Sequence, residues 1–214
     1  MKNLLIIILV FTVLNNQIFH LGIRERLFGK SVIELESPSA NGLYDVYETK
    51  QANIVMLGDS LIAFPSWNEL LGREDVVNRG IFGDTTKGVL NRLEYVCRLK
   101  PIVCFLMVGV NDLTGPDTPE EISRNIAAIT SRLSDSNIRV IVCLVLLTDN
   151  YWMNIKIAEI NKHLRVLNNV EILDMNTIFA SGGILGKEFT YDGTHLTGRA
   201  YSLFSDRVLE LLHD

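Results

Sequence analysis

The chain has few cysteines, and none is spaced for a structural bridge or a zinc site. Only three occur among the 214 residues, Cys97, Cys104 and Cys143, and they form no C-x-x-C pair. Cys104 and Cys143 lie in apolar runs, where buried free thiols are expected. Among the potential metal ligands, Asp192 and His195 are the single close pair. We therefore expect neither a disulfide framework nor a bound metal.

Positive charge is also scarce. Lysine and arginine number 20 against 25 acidic residues, which gives a net charge of −5, and the basic residues are scattered. Nucleic-acid binding, which usually needs a basic patch, is therefore not expected. There are five prolines and no low-complexity tract, and 48% of the residues are apolar. A chain of this size and composition suits one globular α/β domain with a full core.

The N-terminus lacks an uninterrupted apolar run of the roughly 20 residues that a spanning helix needs. Eleven residues from Leu4 to Leu14 include Thr12 as the one polar residue. This length fits the apolar region of a secretory signal, about 7–15 residues. No clear small-x-small cleavage site follows, so an uncleaved anchor extending to Ile23 stays open. We expect residues 1–23 to be a signal peptide or an N-terminal membrane anchor, with export or membrane association through residues 4–23.

After a polar connector at residues 24–51, apolar β-type runs alternate with helical patterns. The predicted strands are 53–57, 76–78, 102–108, 139–147 and 170–174. The predicted helices are 66–72, 87–99, 119–134, 152–168 and 197–212. Such alternation predicts βαβ units and a parallel sheet covered on both faces. The predicted fold is a three-layer α/β/α domain over residues 52–214.

The first predicted strand ends in Gly58-Asp59-Ser60-Leu61, which would place one hydroxyl at the carboxyl edge of the sheet. Ligands bind at this edge in open α/β sheets. Gly83 follows the second strand, Asn111 follows the third, and Asp192-Gly193-Thr194-His195 precedes the last helix. Local roles remain open for each of them, because Ser60 and His195 could cap helices and the others could form turns.

Together these groups meet the needs of acyl transfer. A serine hydroxyl requires a neighbouring base, and His195 can act as one if a carboxylate such as Asp192 holds its other ring nitrogen. The oxyanion formed during reaction needs preset donors, which the Ser60 N–H, the Gly83 N–H and the Asn111 side chain could supply. No G-x-G-x-x-G or G-x-x-x-x-G-K-[ST] motif follows the first strand, which disfavours nucleotide binding.

Other residues in these motifs have a simpler interpretation. Asp59, Asp84 and Asp112 are each predicted to be local turn residues. Trp67 and Trp152 lie in predicted helices, and we expect both to pack in the core.

The four motifs, from Gly58-Asp59-Ser60-Leu61 to Asp192-x-x-His195, resemble in order the four sequence blocks of the SGNH hydrolases, or GDSL esterases/lipases. The stretch Asn78 to Thr86 resembles the branch related to platelet-activating-factor acetylhydrolase. The resemblance implies a flavodoxin-like sheet in the order 2-1-3-4-5, with no metal and no organic cofactor. It also implies a role for each candidate residue. Ser60 would be the nucleophile, His195 the base, and Asp192 the group that orients the base. Gly83 and Asn111 would be the oxyanion-hole residues.

The expected activity is hydrolysis of carboxylic esters, with short acyl groups such as acetyl on a carbohydrate or small molecule. Short predicted loops at 110–118 and 148–151 favour a shallow cleft and hence short acyl groups. A lysophospholipase or acyl thioesterase is the alternative, and a catalytically silent binding module on the same fold is a further one. Nothing in the sequence specifies an oligomeric state.

Overall fold

The computed structural model describes residues 42–213, in which a five-stranded parallel sheet lies between two layers of helices. Its strands follow the spatial order β2-β1-β3-β4-β5, and every neighbouring pair is parallel. In chain order the strands are β1 (Ile54–Gly58), β2 (Val76–Gly80), β3 (Val103–Met107), β4 (Arg139–Cys143) and β5 (Glu171–Leu173). The predicted three-layer fold and strand order are confirmed.

Helices connect the strands and cover both faces of the sheet. They are α1 (Ser60–Ala63), α2 (Trp67–Leu71), α3 (Thr86–Asn91), α4 (Leu93–Cys97), α5 (Pro119–Asp135), α6 (Tyr151–Leu164), α7 (Asn176–Phe179) and α8 (Gly198–His213). A 3-10 turn at Asp112–Thr114 and a hairpin of β6 (Ala180–Ser181) and β7 (Ile184–Leu185) complete the fold.

The predicted N-terminal signal or anchor at residues 1–23 lies outside the described residues, as does most of the connector. Within residues 42–213, no helix is both long and apolar enough to cross a bilayer.

The core is split by the sheet into two clusters because successive strand residues point to opposite faces. In β1, Val55 and Leu57 pack with helices α3 to α6, whereas Ile54 and Met56 pack with α1, α2 and α8. All five β1 residues are buried, as expected for a strand covered on both sides. This double burial fixes the position of the turn that follows β1.

Two predicted elements are interrupted within their apolar patterns, one by an early end and one by a break. The strand predicted to reach residue 147 stops at Cys143, because the Asn161 side chain bonds the N–H of Val145 at 2.9 Å and its C=O at 2.8 Å. The helix predicted at 87–99 is divided at Arg92, where φ is −111° and ψ is 10°. In both cases buried polar contacts override the local pattern.

The two tryptophans differ in environment. Trp67 is fully buried, as predicted, and its ring packs edge-on against Phe204 at 5.3 Å. Trp152 is 76% exposed, so its predicted core position is wrong. It lies in the first turn of α6. The buried thiols predicted at Cys104 and Cys143 are confirmed, and burial raises the pKa of both.

Candidate active site

Ser60 lies at the junction of β1 and α1, with its hydroxyl directed at a histidine. Its Oγ is 3.0 Å from His195 Nε2. The residue before it, Asp59, caps the helix instead, since its Oδ1 accepts the Leu61 N–H at 3.0 Å. The alternative reading of Ser60 as a helix cap is therefore wrong, and its hydroxyl is free to contact the imidazole.

The other ring nitrogen of His195 contacts Asp192. His195 Nδ1 lies 2.6 Å from Asp192 Oδ2, while Asp192 Oδ1 accepts the N–H groups of Thr194 at 3.0 Å and His195 at 2.7 Å. Partial burial raises the pKa of Asp192, but these hydrogen bonds more than offset it, and the pKa falls below its usual value. An ionised Asp192 keeps a proton on Nδ1, which leaves Nε2 to accept the Ser60 proton.

His195 does not cap the last helix either. The first turn of α8 is capped by Thr197, whose Oγ1 accepts the Ala200 N–H at 3.4 Å. Ser60, His195 and Asp192, although up to 135 positions apart in sequence, are thus joined by direct contacts.

Gly83 and Asn111 lie together in a second part of the site. Gly83 occupies the turn after β2 with φ of +76°, a conformation that favours glycine, and its N–H has no partner among residues 42–213. Asn111 Nδ2 donates to the carbonyl of Asp84, the next residue, at 2.9 Å. The same turn is tied to the turn that carries Ser60, because the Ile81 N–H donates to the Gly58 carbonyl at 3.0 Å.

The Ser60 N–H also has no hydrogen-bond partner among the described residues. Free backbone N–H groups at the end of a strand are the donors that an oxyanion requires. The edge of the sheet therefore offers a hydroxyl, a base and unpaired donors.

Two of the three aspartates predicted to be local turn residues have longer reach. Asp84 does bond the Thr85 N–H, but its Oδ2 also accepts from Arg92 Nε at 2.8 Å. Asp112 accepts both the N–H and the hydroxyl of Thr86, 26 positions away. The local prediction is correct for Asp59, correct but incomplete for Asp84, and wrong for Asp112. Burial raises the pKa of Asp84, which the Arg92 charge opposes.

Asp59 carries an unusual carboxyl group. It is 1% exposed, and its Oδ2 has no hydrogen-bond partner among the described residues. Desolvation by burial is the main cause that raises its pKa from 3.8 to about 7, with the neighbouring Asp84 and Asp112 charges adding to the rise.

Exposed aromatic rings flank the site. Tyr191 stacks on the His195 ring with centroids 5.9 Å apart, and Phe64 lies 6.5 Å from Tyr191. Tyr191 is 60% exposed and Phe64 is 55% exposed. Phe82, next to Gly83, is also half exposed. Sequence reasoning did not identify these rings, although Tyr191 and Phe82 each adjoin a motif residue and Phe64 lies three residues after Leu61.

Potential metal ligands come together elsewhere. Among residues 42–213, Glu120, Glu159 and His163 offer ligand atoms within 4.8 Å of one another, and all three are exposed on α5 and α6. The set includes none of the predicted site residues. Exposed carboxylates commonly meet without a metal, so we assign none to it.

The sequence agrees with one family over most of its length. The profile of the GDSL-like lipase/acylhydrolase family matches residues 56–203, which include every predicted site residue. The chain belongs to this family. A GDSL-like hydrolase is a serine ester hydrolase, so the chain is an ester-hydrolysing enzyme.

Individual relatives agree with this assignment. The hydrolase is 32% identical over 178 residues to human platelet-activating factor acetylhydrolase IB subunit alpha2, covering 76% of this chain and 77% of the relative. A Streptococcus pneumoniae structure shares its fold with a TM-score of 0.77 at 24% identity, covering 89% of this chain and 99% of that one. An acetyl xylan esterase, AlAXEase, shares the fold with a TM-score of 0.60 at 21% identity, covering 74% and 98%.

Proposed function

We propose that this enzyme hydrolyses short-acyl carboxylic esters through an acyl-enzyme on Ser60. The observation that carries the proposal is the continuous contact from Ser60 Oγ to His195 Nε2 at 3.0 Å and from His195 Nδ1 to Asp192 Oδ2 at 2.6 Å. Such an arrangement of hydroxyl, imidazole and carboxylate activates a serine for nucleophilic attack.

In the first step, Ser60 Oγ attacks the ester carbonyl carbon while its proton passes to His195 Nε2. The carbonyl oxygen becomes an oxyanion, and Asp192 stabilises the imidazolium that forms. Collapse of the tetrahedral intermediate breaks the bond to the alcohol, which leaves with the proton from Nε2. An acyl ester of Ser60 remains.

The oxyanion would be held by the Ser60 N–H, the Gly83 N–H and Asn111 Nδ2. The two backbone groups have no partner among the described residues, and Asn111 uses one of its two N–H bonds on Asp84, which leaves the other available. Donors that are already in place stabilise the developing charge without reorganisation.

In the second step, water attacks the acyl-enzyme while His195 Nε2 takes its proton. A second tetrahedral intermediate forms, its oxyanion held by the same donors, and it collapses to the carboxylic acid. The Ser60 oxygen recovers its proton from the imidazolium, and the enzyme returns to its starting state.

Short acyl groups, such as acetyl, are proposed as the preferred substrates. The sequence similarity to a platelet-activating factor acetylhydrolase subunit supports an acetyl ester. The name of the acetyl xylan esterase with the same fold makes a carbohydrate-borne acetyl group the natural first test.

One observation favours a second candidate, a lysophospholipase or acyl thioesterase. Phe64, Phe82 and Tyr191 expose apolar surface beside the proposed site, and such surface could contact a longer acyl chain. The chain-length profile separates the two candidates.

The test is hydrolysis of p-nitrophenyl esters from acetate to palmitate by wild type and Ser60→Ala. Ser202→Ala, which removes an exposed hydroxyl on α8, is the matched control. We expect Ser60→Ala alone to abolish turnover, and wild-type rates to fall beyond butyrate. Equal activity in Ser60→Ala and wild type would refute the nucleophile, whereas rates rising with chain length would favour lipid substrates.

A covalent probe tests the acyl-enzyme separately. A fluorophosphonate should add one adduct to the intact mass of wild type and of Ser202→Ala, and none to Ser60→Ala. Labelling of Ser60→Ala would place the nucleophile elsewhere.

We also propose that residues 4–23 export the enzyme or anchor it to a membrane. Fractionation of the producing cell, with the N-terminal mass of the recovered protein, tests this. An intact protein found in the cytoplasm would contradict both forms of the proposal.

A further inference from the structure

We propose that Arg92 is a positioning residue that holds the nucleophile and the oxyanion donors in a fixed relation. It does so through Asp84, and we call the two residues the Arg92–Asp84 clamp. This inference rests on the proposed roles of Ser60, Gly83 and Asn111.

Arg92 donates hydrogen bonds to both turns of the site, the turn after β1 and the turn after β2. Its Nη2 donates to the Gly58 carbonyl at 3.0 Å, two residues before Ser60, and its Nε donates to Asp84 Oδ2 at 2.8 Å. Arg92 is 1% exposed. The planar guanidinium therefore fixes the distance between the turn that carries Ser60 and Asp84, the residue that follows Gly83.

Asp84 extends the contact to Asn111. Its Oδ1 accepts the Thr85 N–H at 2.9 Å, and its backbone carbonyl accepts from Asn111 Nδ2 at 2.9 Å. A continuous hydrogen-bond network thus runs from Gly58 through Arg92 and Asp84 to Asn111. Each of the three proposed oxyanion donors belongs either to a residue of this network or to a residue within two positions of one.

The neighbouring helix α3 leaves space for the Asp84 carboxylate. Gly88 lies within α3, where glycine is normally unfavourable, and a Cβ at this position would lie 1.8 Å from Asp84 Oδ1. Space for the Asp84 carboxylate explains this glycine. The helical path also breaks at Arg92, between α3 and α4.

Stability alone is a poor explanation for the clamp. Removing two charges from water is costly, and a buried ion pair is often no more stabilising than apolar side chains of the same volume. Val89 and Leu93, which flank Arg92 closely in sequence, are fully buried apolar residues, so an apolar residue at 92 would also suit the core. The charged pair is explained instead by the peptide groups that it holds.

The test compares Arg92→Lys and Gly88→Ala with wild type. Lysine keeps the positive charge beside Asp84 but has a single nitrogen, which cannot bond both partners in the geometry of the guanidinium. Alanine at 88 displaces the Asp84 carboxylate and leaves Arg92 in place. We expect both variants to fold, to lose at least about tenfold in kcat, and to keep KM within about twofold.

A second readout is specific to the oxyanion site. An alkylboronic acid forms a tetrahedral adduct with an active-site serine and mimics the intermediate, so its affinity should fall by about the same factor as kcat/KM. Leu133→Ala is the matched control, because it removes buried packing at the amino edge of the sheet, away from the site. It should lower thermal stability and leave kcat and boronate affinity unchanged.

Each outcome decides the proposal. Wild-type kcat and boronate affinity in a folded Arg92→Lys would overturn the clamp. A loss of activity in Arg92→Lys that is fully explained by its unfolded fraction would overturn it as well. If Arg92→Lys does not fold, Gly88→Ala decides by the same criteria. Ser60→Ala is measured alongside: activity in that variant refutes the proposed function, whereas its inactivity with an unaffected Arg92→Lys refutes the clamp alone.

Discussion

The buried carboxyl group of Asp59 should make the stability of the enzyme depend on pH, and the change that reveals this is Asp59→Asn. Asparagine caps helices as well as aspartate does, and its Oδ1 can accept the same Leu61 N–H. The variant therefore keeps the local structure and removes only the titrating proton.

The size of the effect follows from the raised pKa. A rise in the pKa of Asp59 from 3.8 to about 7 corresponds to roughly 4 kcal/mol, at about 1.4 kcal/mol per tenfold change in proton affinity. Asp59 is 1% exposed, so solvent screening does not reduce this figure substantially.

The sign follows from proton binding. Between pH 4 and 7 the folded state holds a proton on Asp59 that the unfolded state has released, so the stabilising contribution is complete below about pH 4 and is lost as the pH rises through 7. The asparagine side chain of the variant does not titrate. Wild type and variant should therefore be similarly stable near pH 4, and the variant should be more stable at pH 8 by up to about 4 kcal/mol.

The assay is urea unfolding of both proteins from pH 4 to 8, with the free energy of unfolding compared at each pH. Asp75→Asn is the control, since hydrogen bonding to Arg73 lowers the pKa of Asp75 to about 2, and its stabilising contribution is lost only as the pH falls below about 4. Its curve should run parallel to wild type between pH 5 and 8. Parallel curves for Asp59→Asn, or lower stability of that variant at pH 8, would refute the reasoning.

Four further predictions concern the proposed site. Asn111→Ala should lower kcat by about 10²–10³ in p-nitrophenyl acetate hydrolysis, because it removes one oxyanion donor, and full activity would exclude that role. Asp192→Asn should lower kcat by at least roughly 10², since an amide favours the wrong imidazole tautomer, and an unaffected rate would contradict the contact at Nδ1. Because the lowered pKa of Asp192 keeps this carboxylate charged in mild acid, and Asp59→Asn removes a carboxyl beside Ser60 whose pKa is raised to about 7, kcat/KM of Asp59→Asn should still fall from pH 8 to 5 as the base that accepts the Ser60 proton is lost, and a flat profile would argue against a histidine base. Phe64→Ala should raise KM for butyrate esters with little change in kcat, as expected for an exposed ring that contacts the acyl chain and not the reacting atoms, and an unchanged KM would remove it from the binding surface.

Periodicity and turn chemistry were sufficient to predict the five-stranded sheet and the edge of it at which Ser60 and His195 meet. The predicted strand at 53–57 and the helix at 119–134 differ by one residue at their ends from β1 and α5. The helix start at Thr118 is a complete capping box with Glu121. This signal is local in sequence and can therefore be recognised without the structure.

Contacts between distant segments could not be predicted in this way. Asp84 and Asp112 follow glycine or asparagine and look like turn residues, but their partners lie 8 and 26 positions away. Arg92 sits in a helical pattern with no sign of a buried charge. Gly88 offered the one available signal, since a glycine inside a predicted helix calls for a packing reason.

Trp152 shows a different limit. A helical pattern indicates that one face is apolar, but it does not specify which residues of the first turn are covered. The first turn of α6 carries Tyr151 and Trp152, both more than 60% exposed, whereas Ile157 and Ile160, one to two turns later, are fully buried.

The 135 positions between Ser60, the proposed nucleophile, and His195, its proposed base, have a consequence for biosynthesis. During translation, all five strands of the central sheet are made before His195, so pairing of the strands does not depend on His195. A nascent or prematurely terminated chain can carry the intact Gly58-Asp59-Ser60 turn and still lack a base. Under the proposed mechanism, ester hydrolysis begins only after His195 has been made, and chains interrupted before position 195 would be inert.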